Sequence, residues 1–352
     1  MTLDRTLRTV DALVEAGFVP AAEAEPIGLV AARYAVGVTP AMAALIDRAD
    51  PTDPIARQFI PDARELETRP EERDDPIGDH AHSPVAGIVH RYPDRVLLKA
   101  VHVCPVYCRF CFRREMVGPD GDGTLSAEAL DAAFAYIGAH AEIREVIFTG
   151  GDPLVLSARR LADLVGQLSA MAHVRMVRFH TRVPVADPDR IDAALLAALS
   201  ASGKTTYLAV HANHPRELTD AAVAGLARLR GAGIVLLGQS VLLKGVNDDV
   251  DTLAALMRGF VEAGVMPYYL HHPDLAPGTA HFRLSIAEGQ RLVAALRGQI
   301  SGLCQPRYVL DIPGGFGKAQ IGLPEIEALD DGHRVTDFRG GQHVYPPLQG
   351  DE

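Results

Sequence analysis

The chain of 352 residues carries 34 Lys and Arg against 45 Asp and Glu, which gives a formal net charge of −11. This acidic balance argues against nucleic acid and anionic membranes as partners, because both carry negative charge. Hydrophobic residues make up 48% of the chain, which is enough for a large core, and the length suits a single α/β barrel with extensions.

The first residues, MTLDRTLRTVDALVEAGFV, alternate charged and apolar side chains at helical spacing. They lack the basic head and apolar block of a secretory signal. No run approaches the roughly 20 apolar residues of a membrane span. We therefore expect a cytoplasmic protein, in which thiols stay reduced and clustered cysteines indicate a metal more often than disulfides.

Three regions follow one another along the chain. Residues 1–85 are Ala-rich with a helical pattern and predict an N-terminal helical region, which ends in the acidic stretch ETRPEERDDPIGDHAHSP. Residues 86–330 alternate β-branched runs with amphipathic segments, as repeated β-α units do. Residues 331–352 are polar and predict a C-terminal tail, either an exposed hairpin or an arm that contacts a partner.

The middle region predicts the fold. We expect an α/β fold, a partial (β/α)6-type parallel barrel with an N-terminal helical extension and a short C-terminal tail. A candidate helix near its end opens with Ser285 and Glu288 in capping-box spacing. Seven stretches are candidate strands: RVLLKAVHV, REVIFTG, VRMVRFHT, TTYLAVHA, IVLLGQSVLL, MPYYLHH and RYVLDI.

Polar and glycine-containing clusters follow the candidate strands. Active sites of parallel barrels lie at the rim where the strands end, so these clusters predict one active site at that rim. In chain order they are a cysteine-rich loop, GGDP, HTR, HANH, HHPD and DIPGGFGK.

Three of the four cysteines, Cys104, Cys108 and Cys111, form a C-x3-C-x2-C loop after the first strand. Structural zinc takes four closed ligands, and His102 is the best fourth ligand that the neighbourhood offers. Three cysteines can instead hold a cuboidal 4Fe-4S cluster with one open iron. The spacing and the position resemble the radical S-adenosylmethionine superfamily, in which the open iron binds S-adenosylmethionine and cleavage of that molecule yields a 5′-deoxyadenosyl radical.

The stretch TGGDP follows the second candidate strand. A bare G-G-D is usually a turn. At this place in the order, Gly150, Gly151 and Asp152 resemble the glycine motif of that superfamily, and the resemblance implies that they bind S-adenosylmethionine.

The stretch YVLDIPGGFGKAQIG ends the barrel region. Ile312 and Ala319 stand where a P-loop has glycine and Ser or Thr, so a nucleotide site of that type is rejected. A lysine on a glycine-rich rim loop can form an imine with pyridoxal phosphate. The segment resembles the pyridoxal phosphate lysine motif of lysine 2,3-aminomutases, and the resemblance implies that Lys318 is the catalytic, cofactor-carrying lysine.

The resemblance to the lysine 2,3-aminomutase family extends from about residue 80 to 325. The shared motifs are HRYPDRVL, CRFCFRRE, FTGGDPL, NHPREL, GQSVLLKGVNDD, MPYYLHHPDLAPGTAHFR and PGGFGK. By this resemblance Arg113 holds the substrate carboxylate, while Asp274 and Asp311 receive the ε-ammonium of lysine. Pyridoxal phosphate contacts are implied for Arg91, Arg95, Tyr92 and Gln239, and an S-adenosylmethionine contact is implied for His211.

The family implies an isomerase that converts L-lysine to β-lysine by radical 1,2-amino migration, using the 4Fe-4S cluster, S-adenosylmethionine and pyridoxal 5′-phosphate. It also implies a reducing electron donor such as flavodoxin or ferredoxin, and it allows a homo-oligomer. The sequence leaves two alternatives open. The β-lysine could be destined for elongation factor P, or the protein could be a zinc-binding scaffold without enzymatic activity.

Two features depart from the family pattern. Cys304 is the only cysteine outside the motif, so the additional cysteine-rich zinc site of longer relatives cannot form. We expect Cys304 to be a small buried hydrophobic residue. Phe316 stands where the family often has glycine, in the loop before Lys318.

Overall fold

The computed structural model describes residues 3–117 and 123–346. Its strands are β1 (Ile88–Tyr92), β2 (Arg95–Val101), β3 (Glu145–Gly150), β4 (Met176–Thr181), β5 (Thr205–His211), β6 (Val235–Val241), β7 (Met266–His271), β8 (Arg307–Asp311), β9 (Lys318–Gln320), β10 (Ile326–Leu329), β11 (Gly332–Thr336) and β12 (Gln342–Tyr345). Strands β1 to β9 form one open sheet in which the spatial order equals the chain order. Strands β2 to β8 are parallel, and β1 and β9 are antiparallel edges, so the sheet is a half-barrel.

Helices connect the parallel strands and share one hydrophobic core with them. Phe148 of β3 and Phe179 of β4 are fully buried and stack with ring centroids 5.1 Å apart. The predicted capping box is confirmed: Ser285 Oγ accepts from the Glu288 N–H, and the Glu288 carboxylate accepts from the Ser285 N–H at 2.7 Å. The helices of the barrel region are α5 (Ala127–Ala139), α6 (Ala158–Gln167), α7 (Val183–Ala186), α8 (Ala193–Leu199), α9 (Asp220–Gly231), α10 (Val250–Glu262) and α11 (Ile286–Leu296), numbered after four helices of the N-terminal region.

The N-terminal region contains α1 (Val10–Glu15), α2 (Ala24–Arg33), α3 (Pro40–Ala43) and α4 (Pro54–Phe59). These helices are shorter than the Ala-rich composition suggests, and proline opens two of them at the first helical position. Their apolar side chains form a second core that includes Val106 of the cysteine loop and Ala186 of α7. The N-terminal region therefore packs directly on the loop that carries the three cysteines.

The segment that follows β9 forms a three-stranded antiparallel sheet, in which β10 and β12 are exposed and β11 is mostly half-buried. The sheet begins at Ile326, before the predicted start of the tail at residue 331, and residues 347–352 lie outside the described part of the chain. Among the helices of the described residues, none has the length and apolar character needed to cross a membrane. Cys304 is buried, at 5% exposure, as expected.

Candidate active site

The loop that follows β2 carries the three predicted cluster cysteines. Cys104, Cys108 and Cys111 are free thiols that line a common cavity of about 40 Å³. Burial raises the pKa of all three, to about 11 for Cys111. Bound iron would reverse this, because a coordinating thiol is deprotonated.

The cysteine set fits a cluster in which each thiolate binds a different iron. Three free thiols on one loop face the same buried space. Within the described residues, no three His, Cys, Asp or Glu side chains meet closely enough to hold a single metal ion.

The glycine motif at the end of β3 packs against the start of the cysteine loop. Gly150 has a φ of +107°, and a Cβ there would lie 2.5 Å from the Val101 carbonyl oxygen. A Cβ on Gly151 would lie 2.4 Å from the Val103 oxygen. The Gly151 N–H donates to Val101 at 2.6 Å, and the Asp152 N–H donates to Val103 at 2.9 Å. Only glycine allows this close approach, which fixes where the cysteine loop begins.

The Asp152 carboxylate is buried, and protein donors bind both of its oxygens. It accepts from Thr181 Oγ1 at 2.7 Å and from the Arg182 N–H at 2.7 Å. Burial raises the pKa of Asp152, although these hydrogen bonds favour the ionised form. Asp152 thereby ties the end of β3 to the end of β4, and its predicted contact with S-adenosylmethionine stays a prediction.

Lys318 is the first residue of β9, and its side chain meets one of the two predicted substrate carboxylates. Lys318 Nζ lies 2.6 Å from Asp311 Oδ1, because the two residues are register partners of the antiparallel pair β8–β9. The Lys318 N–H donates to the Tyr92 hydroxyl at 3.1 Å. The edge strands β1 and β9 therefore approach each other at the position of the lysine.

The surroundings of Asp274 and Asp311 shift the pKa values of these two carboxyl groups in opposite directions. Burial opposes ionisation of Asp311, but hydrogen bonds from His271 and Lys318 outweigh it and lower the pKa of Asp311. Burial and the nearby Asp311 charge raise the pKa of Asp274 to about 7. In the described residues no donor hydrogen-bonds to the Asp274 carboxylate, so Asp274 is the member of the pair that takes a proton.

A third carboxylate, Asp79, joins two of the predicted anion-binding arginines. Arg91 Nη2 donates to Asp79 Oδ1 at 3.1 Å, and Arg113 Nη2 donates to Asp79 Oδ2 at 3.1 Å. Arg91 Nη1 also lies 3.9 Å from Asp311 Oδ1. Burial opposes ionisation of Asp79, yet Arg113 and Lys99 lower its pKa. The charged side chains of Arg91, Arg113, Asp79, Asp311 and Lys318 therefore form one connected group.

Sequence analysis missed Asp79, because it lies in an acidic, proline-containing segment that is typical of a solvated loop. The segment is held against the glycine loop before Lys318. A Cβ on Gly78 would lie 2.4 Å from the Gly315 nitrogen, and the His82 ring nitrogen Nε2 lies 3.0 Å from the Gly315 oxygen. This contact between two segments that are far apart in the sequence brings Asp79 into the site.

Three more predicted residues, Gln239, His211 and Arg95, lie on strands of the sheet. Gln239 of β6 is the register partner of His211 of β5. Burial lowers the pKa of His211 well below its ordinary value, so its ring is neutral. Arg95 lies apart, at the start of β2: its guanidinium stacks on the Tyr92 ring at 3.8 Å and pairs with Asp94 at 2.7 Å. Its predicted contact with the phosphate stays a prediction.

Three further residues of the site carried no assignment from the sequence. His180 and His271 lie at the ends of β4 and β7, half-buried and buried respectively, and desolvation lowers the pKa of both rings. Tyr269 places its ring 5.9 Å from Lys318 Nζ. The HTR and HHPD clusters at the strand ends were the signal for the two histidines.

Comparison with known proteins agrees with these features. The model of the radical SAM superfamily matches residues 98–257. The L-lysine 2,3-aminomutase of Clostridium subterminale is 40% identical over 286 residues, covering 81% of this chain and 68% of that protein. The enzyme of that name from Acetoanaerobium sticklandii is 39% identical, covering 81% and 69%. The one from Escherichia coli is 37% identical, covering 79% and 80%. The chain belongs to the lysine 2,3-aminomutase family of the radical S-adenosylmethionine superfamily.

Proposed function

We propose that this chain converts L-lysine to β-lysine by radical 1,2-amino migration. One observation carries the proposal: Lys318 meets Asp311 beside Asp274, in a charge group that also contains Arg113. A nucleophilic lysine, an acidic pair and an arginine are the groups needed to hold a dibasic amino acid at a carbonyl cofactor.

The family's cofactors are a 4Fe-4S cluster, S-adenosylmethionine and pyridoxal phosphate. When bound, they would supply a radical that abstracts hydrogen and a conjugated ring that stabilises the unpaired electron while the amino nitrogen migrates. In this chain the three cysteines of the loop after β2 would hold the cluster, and Lys318 would carry pyridoxal phosphate. We propose that pyridoxal phosphate also contacts Arg91, Arg95, Tyr92 and Gln239. We propose that S-adenosylmethionine contacts Gly150, Gly151, Asp152 and His211.

Lys318 must lose a proton before its nitrogen can act as a nucleophile. Asp311 Oδ1, 2.6 Å from Nζ, stabilises the charged form of Lys318 until that proton leaves to solvent. Once Lys318 is neutral, Asp311 loses the ammonium group 2.6 Å from it, while Arg91 stays 3.9 Å from Asp311 and the Arg113 charge still acts on Asp274. Two carboxylates in a buried pocket repel each other, so the substrate ε-ammonium takes the place of the Lys318 charge.

The same charges select the substrate. Arg113 offers a forked guanidinium to the substrate carboxylate and is itself held by Asp79. A glutamate side chain would add a third negative charge beside Asp274 and Asp311, which costs affinity by repulsion. We therefore propose lysine, rather than an acidic amino acid, as the substrate.

The experiment is product analysis of the anaerobically reconstituted protein. With iron, sulfide, pyridoxal phosphate, S-adenosylmethionine and a reductant, L-lysine is expected to give β-lysine, and L-glutamate is expected to give no β-isomer. Cys111→Ala is expected to abolish the product, whereas Lys244→Ala, at an exposed position, is expected to preserve it. A protein with an intact cluster that forms no β-lysine, or that prefers glutamate, contradicts the proposal.

The comparisons favour neither alternative that the sequence left open, because the relatives carry the aminomutase name. A reducing electron donor such as flavodoxin or ferredoxin belongs to the proposal, since the cluster must be in its reduced form to cleave S-adenosylmethionine.

A further inference from the structure

The NHPREL segment after β5 supplies a fully buried carboxylate, Glu217. One carboxylate oxygen accepts from the backbone N–H groups of Asn213 and His214, both at 2.9 Å, and from Gln58 Nε2 at 3.1 Å. The other oxygen accepts from Arg182 Nη2 at 2.6 Å. Sequence analysis found this motif and assigned no role to it. One oxygen of the Glu217 carboxylate is therefore fixed by three N–H donors, and the other oxygen holds the Arg182 guanidinium.

Arg182, from the HTR cluster at the end of β4, extends from Glu217 to the cysteine loop. Its side chain is 5% exposed. Nη2 donates to Glu217 and to Gln58 Oε1, both at 2.6 Å, while Nη1 donates to Cys108 Sγ at 3.1 Å. The guanidinium carbon lies 4.6 Å from the centre of the Phe59 ring. A permanent positive charge is therefore fixed against a cluster ligand in a site shielded from water.

Hydrogen bonds to cluster sulfurs and nearby charge are the means by which a protein sets the reduction potential of an iron–sulfur centre. Reduction adds a negative charge, which a guanidinium at a ligand sulfur stabilises. Because Glu217 binds the far amino nitrogen of Arg182, its negative charge opposes this stabilisation from a greater distance. We propose that Arg182, positioned by Glu217, sets the reduction potential of the cluster bound at Cys108. This inference rests on the proposed function, because it requires the cluster.

The test is a potentiometric titration of the reconstituted protein, followed by the electron paramagnetic resonance signal of the reduced cluster. Arg182→Gln removes the cation and is expected to lower the ratio of reduced to oxidised cluster about tenfold at a fixed potential, a shift of about 59 mV for one electron. Glu217→Gln leaves the cation without its opposing charge and is expected to shift the potential in the opposite direction. A purely structural role gives no reason for opposite signs.

Controls separate the electrostatic effect from misfolding. Arg216→Gln changes a residue of the same motif that pairs with Asp53 at 2.7 Å instead of a cysteine, and it is expected to leave the potential unchanged. Arg182→Gln leaves Glu217 buried without its partner, so the double variant Arg182→Gln/Glu217→Gln, which removes both charges, is measured as well. Its potential is expected to lie between those of the two single variants.

Iron and sulfide contents are measured before each titration. Shifts of the same sign in the two single variants, or unchanged potentials with full clusters, overturn the proposal. Loss of iron from all the Arg182 and Glu217 variants also overturns it, because the pair would then serve cluster assembly. A wild-type protein that takes up no cluster contradicts the proposed function itself, so the two failures are distinguishable.

Discussion

Lysine affinity is expected to depend on the protonation of Asp274. Burial and the Asp311 charge raise the pKa of Asp274 to about 7, whereas His271 and Lys318 keep Asp311 ionised. A protonated Asp274 cannot pair with an ammonium group. Binding of the substrate ε-ammonium therefore strengthens as the pH rises through about 7 and weakens as it falls.

The size of the effect follows from that pKa. A carboxyl group with a pKa of about 7 is roughly 90% ionised at pH 8 and roughly 10% ionised at pH 6. The affinity for the ε-ammonium is then expected to fall about tenfold over this range, or about 1.4 kcal/mol. In Asp274→Asn the pH dependence should disappear, and lysine affinity should be lower by at least about tenfold at pH 8, because one partner of a buried charge pair is gone.

The assay compares lysine with norleucine, which has an apolar side chain without the ammonium group. The absorbance of the pyridoxal phosphate-loaded protein is followed while each amino acid is added at pH 6, 7 and 8, without reductant. The α-amino group titrates in both ligands, so the ratio of the two affinities isolates the side-chain charge. A ratio that stays constant between pH 6 and pH 8, or that changes equally in Asp274→Asn, refutes the assignment.

Three further predictions concern the framework of the site. Gly151→Ala puts a Cβ within 2.4 Å of a carbonyl oxygen of the cysteine loop and is expected to lower the iron content after reconstitution, whereas Gly166→Ala, with open space around it, should leave the iron content unchanged. Glu65→Gln removes the buried carboxylate between two arginines and is expected to lower the free energy of unfolding by about 3 to 5 kcal/mol in urea denaturation, and a loss below about 1 kcal/mol would contradict this. Borohydride is expected to fix pyridoxal phosphate on Lys318 and to leave Lys318→Ala unlabelled, and a label on Lys244 would show that the motif was misassigned.

The parallel strands were predictable because most of their central residues are buried on both faces of the sheet. Strand β3 shows this well, since Val146, Ile147 and Phe148 are all nearly or fully inaccessible to solvent. A continuous run of apolar residues therefore predicts such a strand even when the strands beside it in the sheet are unknown. The edge strands lack this signal: β1 buries only its first two residues, and β9 has three residues, none of them fully buried. Each edge strand forms by pairing with the strand next to it in the sequence, β1 with β2 and β9 with β8, and its own apolar content does not mark it.

The site was predictable where rare spacing carries the chemistry, as in the cysteine loop and the glycine loop before Lys318. Asp79 and Glu217 show where local pattern fails. Both are acidic residues in polar segments, which usually face solvent. Their burial depends on partners distant in sequence, Arg113 for Asp79 and Gln58 for Glu217. A sequence pattern cannot distinguish a buried, paired carboxylate from a solvated one.

The amino-acid composition of the N-terminal region predicts its helices but not their ends or its buried charges. Its alanine content favours helix, and helices are present. Proline at the first helical position of α3 and α4 fixes where these helices begin, and turns lie between them. Composition alone gave no indication that Glu65 of this region would lie buried between Arg109 and Arg114 beside the cysteine loop.

Iron and sulfide analysis of the anaerobically reconstituted protein tests the central claim most directly. The account predicts about four iron and four sulfide per chain, with loss of both in Cys104→Ala, Cys108→Ala and Cys111→Ala. Cys304→Ala is the matched control, because Cys304 is buried in the core of the barrel, and it should retain the full cluster. Stoichiometric zinc without iron in the wild-type protein, or full iron content in any of the three variants, would contradict the account.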